Sequence, residues 1–458
     1  MLAITLVGTV DEEGGAAVVS AGLMRGYAAH GHRVRHVVGR KRGRDPHVLV
    51  LPDDDRLPFR ASGYVAVQAV LRRLAGRFPD RGFGLLSRTL RLATHPRAFA
   101  SRLSGREDFD FPGTRRLLDV TPDAPDVVHA HNLHGGYFDL RALAAISARV
   151  PTVLTLHDMW LLTGHCAHSL DCGRWATGCG QCPDLRLEPA VRRDATAGNW
   201  QRKRAIYDAS RLFLATPSQW LADKVKASML SPHVGNLRVI PNGVDTAIFQ
   251  PADRQQVRVD LGLPVSGRIV LLTTGSRGSM WKDDGTLRQT MARLSERPAM
   301  AETLFVAVGR DSAVAVASGA RTRSIPFQHD PRVMAQYYQA ADVYLHAARA
   351  DTHPLAVLEA MACGTPVVAT AVGGVPEQIT AVSALAVRTG GVGRGTGVLV
   401  PPGDAAQMAD AAEALLTHDA ARAEVAANGV ADVAARFDVE RQVATYLNWF
   451  QDIAKRGQ

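Results

Sequence analysis

Two acidic residues eight positions apart, Asp351 and Glu359, stand in DTHPLAVLEAMACGTPVVATAVGGVPE (351–377), the second inside the helical run LAVLEAMA. His353, Pro354 and Leu355 precede or open that run, and Cys363-Gly364-Thr365-Pro366 ends it. A helix start leaves backbone N–H groups unpaired at the positive end of the helix dipole, so the amides around His353, Pro354 and Leu355 are free to hold a diphosphate. Glu359, one to two turns in, is placed to accept hydrogen bonds from ribose hydroxyls, as an acidic residue does in dinucleotide folds. Arg277 and Lys282 lie five apart directly after the apolar run IVLLTTG (269–275). Standing alone, such a pair is more often a solvated surface feature.

The first half of the chain offers a second set. Gly14-Gly15 follows the first apolar run and precedes a helical stretch, where glycine lets a ligand approach the backbone and leaves helix amides open to an anion. The spacing is not G-x-G-x-x-G, so a nicotinamide dinucleotide finds no support here. His157-Asp158 ends the run TVLTL, and His129 and His131 end VVHAH beside it. Cys166, Cys172, Cys179 and Cys182 follow in C-x5-C-x6-C-x2-C spacing. Four thiolates so spaced can surround a structural zinc ion, with His157, His165 and His168 as spare ligands; two disulfides or free thiols are the alternatives, disulfides being disfavoured in a reducing cytosol.

Positioning these residues requires strands alternating with helices. The strand candidates are 2–7, 33–38, 127–131, 152–156 and 212–216, then 269–275, 304–309, 343–347, 366–370 and 397–400. Alternation of this kind predicts stacked βαβ units around parallel sheets, which bind ligands at the carboxyl ends of their strands. Two doubly wound α/β domains are expected, 1–235 and 236–436, facing a central cleft, with a last helix over 437–458 packing back on the first domain. Val439, Val443, Tyr446, Leu447 and Phe450 give that helix one apolar face. Apolar residues make up 46% and charged residues 21% of the 458, an ordinary globular composition that excludes a disordered or fibrous chain. No stretch approaches the roughly 18 consecutive apolar residues of a membrane span. The N-terminus reads as a first buried strand rather than a signal peptide, and the default compartment is the cytoplasm. Net charge is +9, and the segment from Gly31 to Val120 alone, with 19 basic against 9 acidic residues, carries the whole excess. Within it the Arg-rich stretch 60–120 includes a basic amphipathic helix with Tyr64, Val67, Leu71, Leu74 and Phe78 at helical spacing beside Arg72, Arg73 and Arg77. That face suits an anionic membrane or acceptor as well as plain solvation.

The stretch QYYQAADVYLHAARADTHPLAVLEAMACGTPVVATAVGGVPEQI resembles glycosyltransferase family 4, whose members carry two acids separated by seven residues and then a helix ending in a Cys/Gly-Thr-Pro-Val-Val run. GVLVPPGD (397–404) and PNGVDTAIF (241–249) extend the resemblance over nearly the whole chain. One departure is Asp351, where most members have Glu. The resemblance implies a GT-B fold and a retaining hexosyltransferase that moves a sugar from a nucleotide-diphosphate sugar, UDP or GDP, to an acceptor hydroxyl, with no cofactor required for catalysis. It implies that Gly14, Gly15, Gly275, His353, Pro354, Leu355 and Glu359 bind the donor and that His157, Arg277, Lys282 and Asp351 serve the reaction. Arg277 and Lys282 would neutralise the departing diphosphate without a metal. His131 and Asp158 fall on the acceptor side. A subset of members carries a similar Cys-rich insert, here 163–184, after the His-Asp pair. The rival readings are a related GT-B phosphorylase and a non-catalytic binding protein for nucleotide sugar or nucleic acid. The near-complete donor motif and the absence of a DNA-reading finger spacing argue against nucleic acid. The acceptor stays open between a natural product, such as an antibiotic, and a polysaccharide or lipid-linked precursor, the latter suiting peripheral contact with the inner face of an anionic membrane.

Overall fold

The computed structural model describes residues 1–52, 100–101, 103–274, 280–309 and 320–456. The chain divides into two compact units: Met1–Leu214, Lys224–Leu237 and Phe450–Gln458 form one, Ala215–Asp223 and Arg238–Trp449 the other. The basic amphipathic helix expected at 64–78 lies outside the described residues.

The first sheet is built from β1 (Ala3–Val10), β2 (Arg33–Arg40), β3 (Val48–Val50), β4 (Val127–His131), β5 (Thr152–Thr155), β6 (Leu212–Thr216) and β7 (Leu237–Val239), in the spatial order β3-β2-β1-β4-β5-β6-β7. The pairings from β3 through β5 are parallel. The turn into the helix Gly15–Ala29 places Gly14 at φ 100°, ψ 150°, a backbone region that only glycine enters at no cost.

The second sheet comprises β8 (Ile269–Thr274), β9 (Leu304–Gly309), β10 (Arg321–Pro326), β11 (Val343–His346), β12 (Val367–Thr370) and β13 (Gly397–Val400), ordered β10-β9-β8-β11-β12-β13. Each of its pairings is parallel. Alternate residues of its strands enter two separate cores. Ile269, Leu271, Val306, Val308, Tyr344 and Val367 pack in one with the helices Pro331–Ala340 and Leu355–Ala362. Val270, Leu272, Phe305, Ala307, Leu345 and Val368 pack in the other with the helices Asp284–Ser295 and Ala405–Thr417. Both faces are covered, which is why these strands read as unbroken apolar runs. Burying the branched residues of such a strand contributes about 1.5–3 kcal/mol each, so the register is firmly fixed.

In each sheet the strand order reverses once beside the first strand, between β1 and β4 and between β8 and β11. These are the switch points at which loops leaving neighbouring strands diverge and open a crevice. Among the described residues, no helix is long and apolar enough to cross a membrane.

Candidate active site

Lys282 and Asp351 come from the loops that leave β8 and β11 at the second switch point. The segment around Lys282 is held on both sides: Arg349 N donates to Trp281 O at 2.8 Å, and Asp283 N donates to Ala347 O at 3.1 Å. Asp283 also caps the helix Asp284–Ser295, accepting from Thr286 N at 3.1 Å and Thr286 Oγ1 at 2.7 Å. Fixed in this way, Lys282 Nζ reaches 3.1 Å from Asp351 Oδ2, with the two side chains 27% and 20% exposed. Burial alone would raise the Asp351 pKa, but the Lys282 ammonium and the His346 ring hold it well below the usual carboxylate range.

The helix Leu355–Ala362 begins at Pro354, with no side chain capping its first amides. Its approach is braced through carbonyls: Asn242 Nδ2 donates to His353 O at 3.0 Å and Gln378 Nε2 to Pro354 O at 3.0 Å. The His353 ring turns inward, 4% exposed and edge-on to Phe437, with its pKa pushed down to about 3 by burial. What His353 offers a ligand is therefore backbone. Gly373 and Gly374 have a local reason: a Cβ on either would collide with the carbonyl oxygen of Asp351 or of Thr352. The loop after β12 lies flat against the backbone that carries Asp351. Glu359 Oε2 accepts from Tyr338 OH at 3.1 Å, and burial pushes the Glu359 carboxyl up to about 7 despite that bond.

In the first unit the carboxyl ends of β4 and β5 bring histidines together. His131 Nδ1 lies 2.8 Å from His157 Nε2, and their rings stack at 5.1 Å. His129 bonds Thr155 Oγ1 at 2.8 Å through Nε2. His134, a residue sequence reading passed over, holds Asp158 at 2.8 Å; the other Asp158 oxygen accepts from Trp160 N at 2.8 Å. Burial works against a charge on His134, yet the Asp158 carboxylate outweighs it and raises the His134 pKa. The signal that could have found His134 is its place just before Gly135-Gly136. Gly135 has φ 101°, and a Cβ there would press on Thr9, whose hydroxyl bonds the carbonyls of Asn132 and His134 at 2.9 Å.

The sequence profile described as Glycosyltransferase Family 4 matches residues 13–248, more than half the chain, and that of glycosyl transferases group 1 matches residues 268–418. The chain belongs to glycosyltransferase family 4. D-inositol 3-phosphate glycosyltransferase 1 of Catenulispora acidiphila is 31% identical to it over 71% of this chain and 72% of its own. A putative colanic acid biosynthesis glycosyl transferase, WcaC of Escherichia coli K12, is 30% identical over 59% of this chain, which spans 65% of that relative's length. Among solved structures, sucrose-phosphate synthase of Thermosynechococcus elongatus superposes with a TM-score of 0.64 at 18% identity over 99% of both chains. HepE of Anabaena, solved in complex with UDP, gives 0.61 at 16% identity over 98% of this chain and 100% of its own. These likenesses establish the GT-B fold, two Rossmann-like parallel-sheet domains.

In this glycosyltransferase the structure joins Lys282 to Asp351 and His131 to His157, and it pairs Asp158 with a histidine. Gly275 and Arg277 lie outside the described residues. The cysteines form no disulfide: Cys166, Cys172, Cys179 and Cys182 are all free thiols, as is Cys363. Burial raises the thiol pKa of Cys166 to about 12 and of Cys179 to about 11. Cys182 Sγ lies 3.4 Å from His165 Nε2, and Gly164 N donates to Cys179 Sγ at 3.3 Å. Among the described residues no group of three or more His, Cys, Asp or Glu side chains is arranged to hold a metal ion.

The buried histidines give the glycosyltransferase an acid limit. His36, His129 and His131 are 0%, 0% and 1% exposed, and burial lowers the pKa of all three. His36 falls to about 4, with Asp11 and Asp45 offsetting only part of the shift, and His157 also falls to about 4. The unfolded chain protonates these rings near 6.5 while the folded chain does not. Stability is therefore complete above pH 6.5 and declines as pH falls towards 4, by about 3 kcal/mol for His36 alone. Melting temperature followed from pH 7.5 to 4.5 is expected to fall steeply below 6.5, and less steeply in His36→Leu. Equal slopes in the two proteins would remove His36 from the explanation.

Proposed function

We propose that this glycosyltransferase moves a sugar from a nucleotide-diphosphate sugar to an acceptor hydroxyl with retention of anomeric configuration. The observation that carries the reading is the arrangement at the second switch point, where the Lys282 ammonium and the uncapped start of the helix Leu355–Ala362 leave neighbouring strands of one sheet. A departing nucleoside diphosphate gains negative charge in the transition state, and a fixed cation with helix amides stabilises that charge. We assign Arg277 to the same task on its spacing from Lys282. The bound UDP of HepE, a protein of the same fold, supports a nucleotide donor.

The remaining roles follow from chemistry. Asp351, held ionised, accepts from hydroxyls of the donor sugar. Glu359 accepts from ribose hydroxyls, and at its raised pKa it does so best once deprotonated, above about pH 7. The acceptor oxygen attacks the anomeric carbon on the face from which the diphosphate leaves; the new C–O bond forms as the bond to the leaving phosphate oxygen breaks. That oxygen takes the acceptor proton. Alignment and charge placement supply the rate. In the first unit we assign His157, whose ring meets that of His131 at 2.8 Å, to the transferred sugar beside the reaction centre, and His131 and Asp158 to the acceptor side. We also place the chain with the members that carry a Cys-rich insert after the His-Asp pair. The relatives' names point to an inositol phosphate and to polysaccharide precursors as the acceptors to try first.

The test is to incubate the protein with UDP-, GDP-, ADP- and dTDP-sugars and those acceptors, and to read the anomeric proton of the product by NMR. The expected product keeps the donor's configuration and forms with stoichiometric release of nucleoside diphosphate. An inverted product would overturn the mechanism. Cleavage of a disaccharide that depends on phosphate, without transfer, would favour the phosphorylase.

A further inference from the structure

His346 takes no part in the roles assigned above, yet it stands behind Asp351. The register of β11 on β8 sets Tyr344 opposite Leu271 on one face of the sheet. Period-two alternation then puts Thr273 and His346 on that same face, two residues nearer the carboxyl ends. The side chains form a line. Thr273 Oγ1 and Tyr344 OH are 2.7 Å apart, Tyr344 OH and His346 Nδ1 3.2 Å, and His346 Nε2 and Asp351 Oδ2 3.4 Å. Lys282 Nζ approaches the same Oδ2 at 3.1 Å. Tyr344 is wholly buried and the His346 side chain 1% exposed. Nε2 makes no full hydrogen bond at the present spacing, and a buried ring nitrogen in that position is costly until its bond is completed.

Donor and acceptor rules fix every proton in this line. An ionised carboxylate only accepts, so the ring nitrogen facing Asp351 must carry the proton. His346 is then the Nε2–H tautomer and Nδ1 an acceptor. Tyr344 OH must point its hydrogen at Nδ1, and its oxygen accepts from Thr273. We infer that His346 is a positioning residue for Asp351, holding the carboxylate in place when Lys282 leaves it for the donor diphosphate.

The logic is an exchange of partners. Before the donor arrives, Asp351 is neutralised by Lys282. A diphosphate offers Lys282 a doubly charged partner, and Asp351 is left needing a donor just as it must accept from a sugar hydroxyl. His346, anchored from behind by Tyr344 and Thr273, closes from 3.4 Å to a full hydrogen bond and keeps the carboxylate ionised and oriented. The ring is neutral, so it orients Asp351 without competing with Lys282 for charge.

This inference rests on the proposed donor reaction, and two arms separate their failures. Selective ¹⁵N-histidine labelling, with His346→Gln to assign the signal, shows which ring nitrogen carries the proton in the free protein. The expected result is the proton on Nε2; a proton on Nδ1 overturns the relay whatever the enzyme catalyses. Kinetics form the second arm. His346→Leu is expected to lower kcat about 10- to 30-fold, shift the acid limb of kcat upward, and change KM for the donor and UDP or GDP affinity less than threefold. His346→Gln, which keeps an N–H for Asp351, should recover at least a third of the lost activity. Tyr344→Phe tests the anchor with a smaller disturbance and should lose three- to fivefold. A uniform loss that follows melting temperature, with no movement of the acid limb and no recovery by Gln, would make His346 a packing residue and overturn the inference. Nε2 protonation in a protein that turns over no nucleotide sugar would leave the relay standing and remove the proposed function.

Discussion

Lys282→Met is expected to lower kcat for sugar transfer by about 10²- to 10³-fold, the range for removing one fixed electrostatic group from a developing anion. Methionine keeps most of the hydrocarbon length and removes the charge, so the bracing by Trp281 and Asp283 should survive. The substitution acts twice: the diphosphate loses a cation, and Asp351 loses the partner that holds its pKa down most strongly. Lys282→Arg should recover only part of the rate, because a guanidinium in the space beside Asp351 tends to form a two-pronged bond with the carboxylate rather than yield to phosphate. Steady-state kinetics with the preferred donor decide the matter. A Lys282→Met enzyme within threefold of wild type would move the leaving-group role to other residues.

Lys203→Met is expected to cost the first unit about 3–5 kcal/mol of stability, the usual result of stranding one partner of a buried ion pair. Lys203 is 0% exposed and lies 3.0 Å from Glu107 Oε2, whose side chain is 9% exposed. Its ammonium also donates to the carbonyls of Trp160 at 2.8 Å and Thr163 at 3.0 Å, and sits 3.7 Å above the Trp160 ring. Burial lowers the Lys203 pKa and raises that of Glu107, each partly restored by the other. Replacing both, as Lys203→Met with Glu107→Leu, removes the stranded charge and should recover at least half of the loss. Urea unfolding of the three proteins measures this; a double variant no more stable than the single would mean that the bonds to Trp160 and Thr163, not the ion pair, hold the unit together. Because Asp158 accepts from Trp160 N, the same variants bear on whether His134 stays seated.

The legibility of these features differs for physical reasons. Strands such as IVLLTT and LFVAVG are covered on both faces, so composition alone betrays them. The strands that went unread are β3 and β7, three residues each, and β10, RTRSIP, whose exposed arginines suit a sheet edge. Each chemical motif could be placed at a strand end from sequence, but which strand ends are neighbours is a property of the sheet order. The Lys282–Asp351 pair depends on β8 lying beside β11, and the His131–His157 pair on β4 lying beside β5. Lys203 was hidden more deeply: it stands in TAGNWQRKRAIYD, which carries no clear apolar face, and only the folded chain turns that one cation inward. His346 was hidden in VYLH, where its neighbours announce a core strand and nothing in the spacing marks it apart from them. Gly373-Gly374 could be seen but not explained, since the carbonyls they accommodate come from residues more than twenty positions earlier.

The central claim, that the second unit binds a nucleotide-sugar donor through Lys282 and Glu359, is tested most directly by thermal unfolding against UDP, GDP, ADP and dTDP and their sugars. The titration is run on wild type, Lys282→Met and Glu359→Ala. One nucleotide should stabilise the wild-type protein, by about 2.7 kcal/mol at a hundred times its dissociation constant, and both variants should lose most of that gain. A folded wild-type protein that no nucleotide stabilises, or variants stabilised as strongly as wild type, would contradict the account.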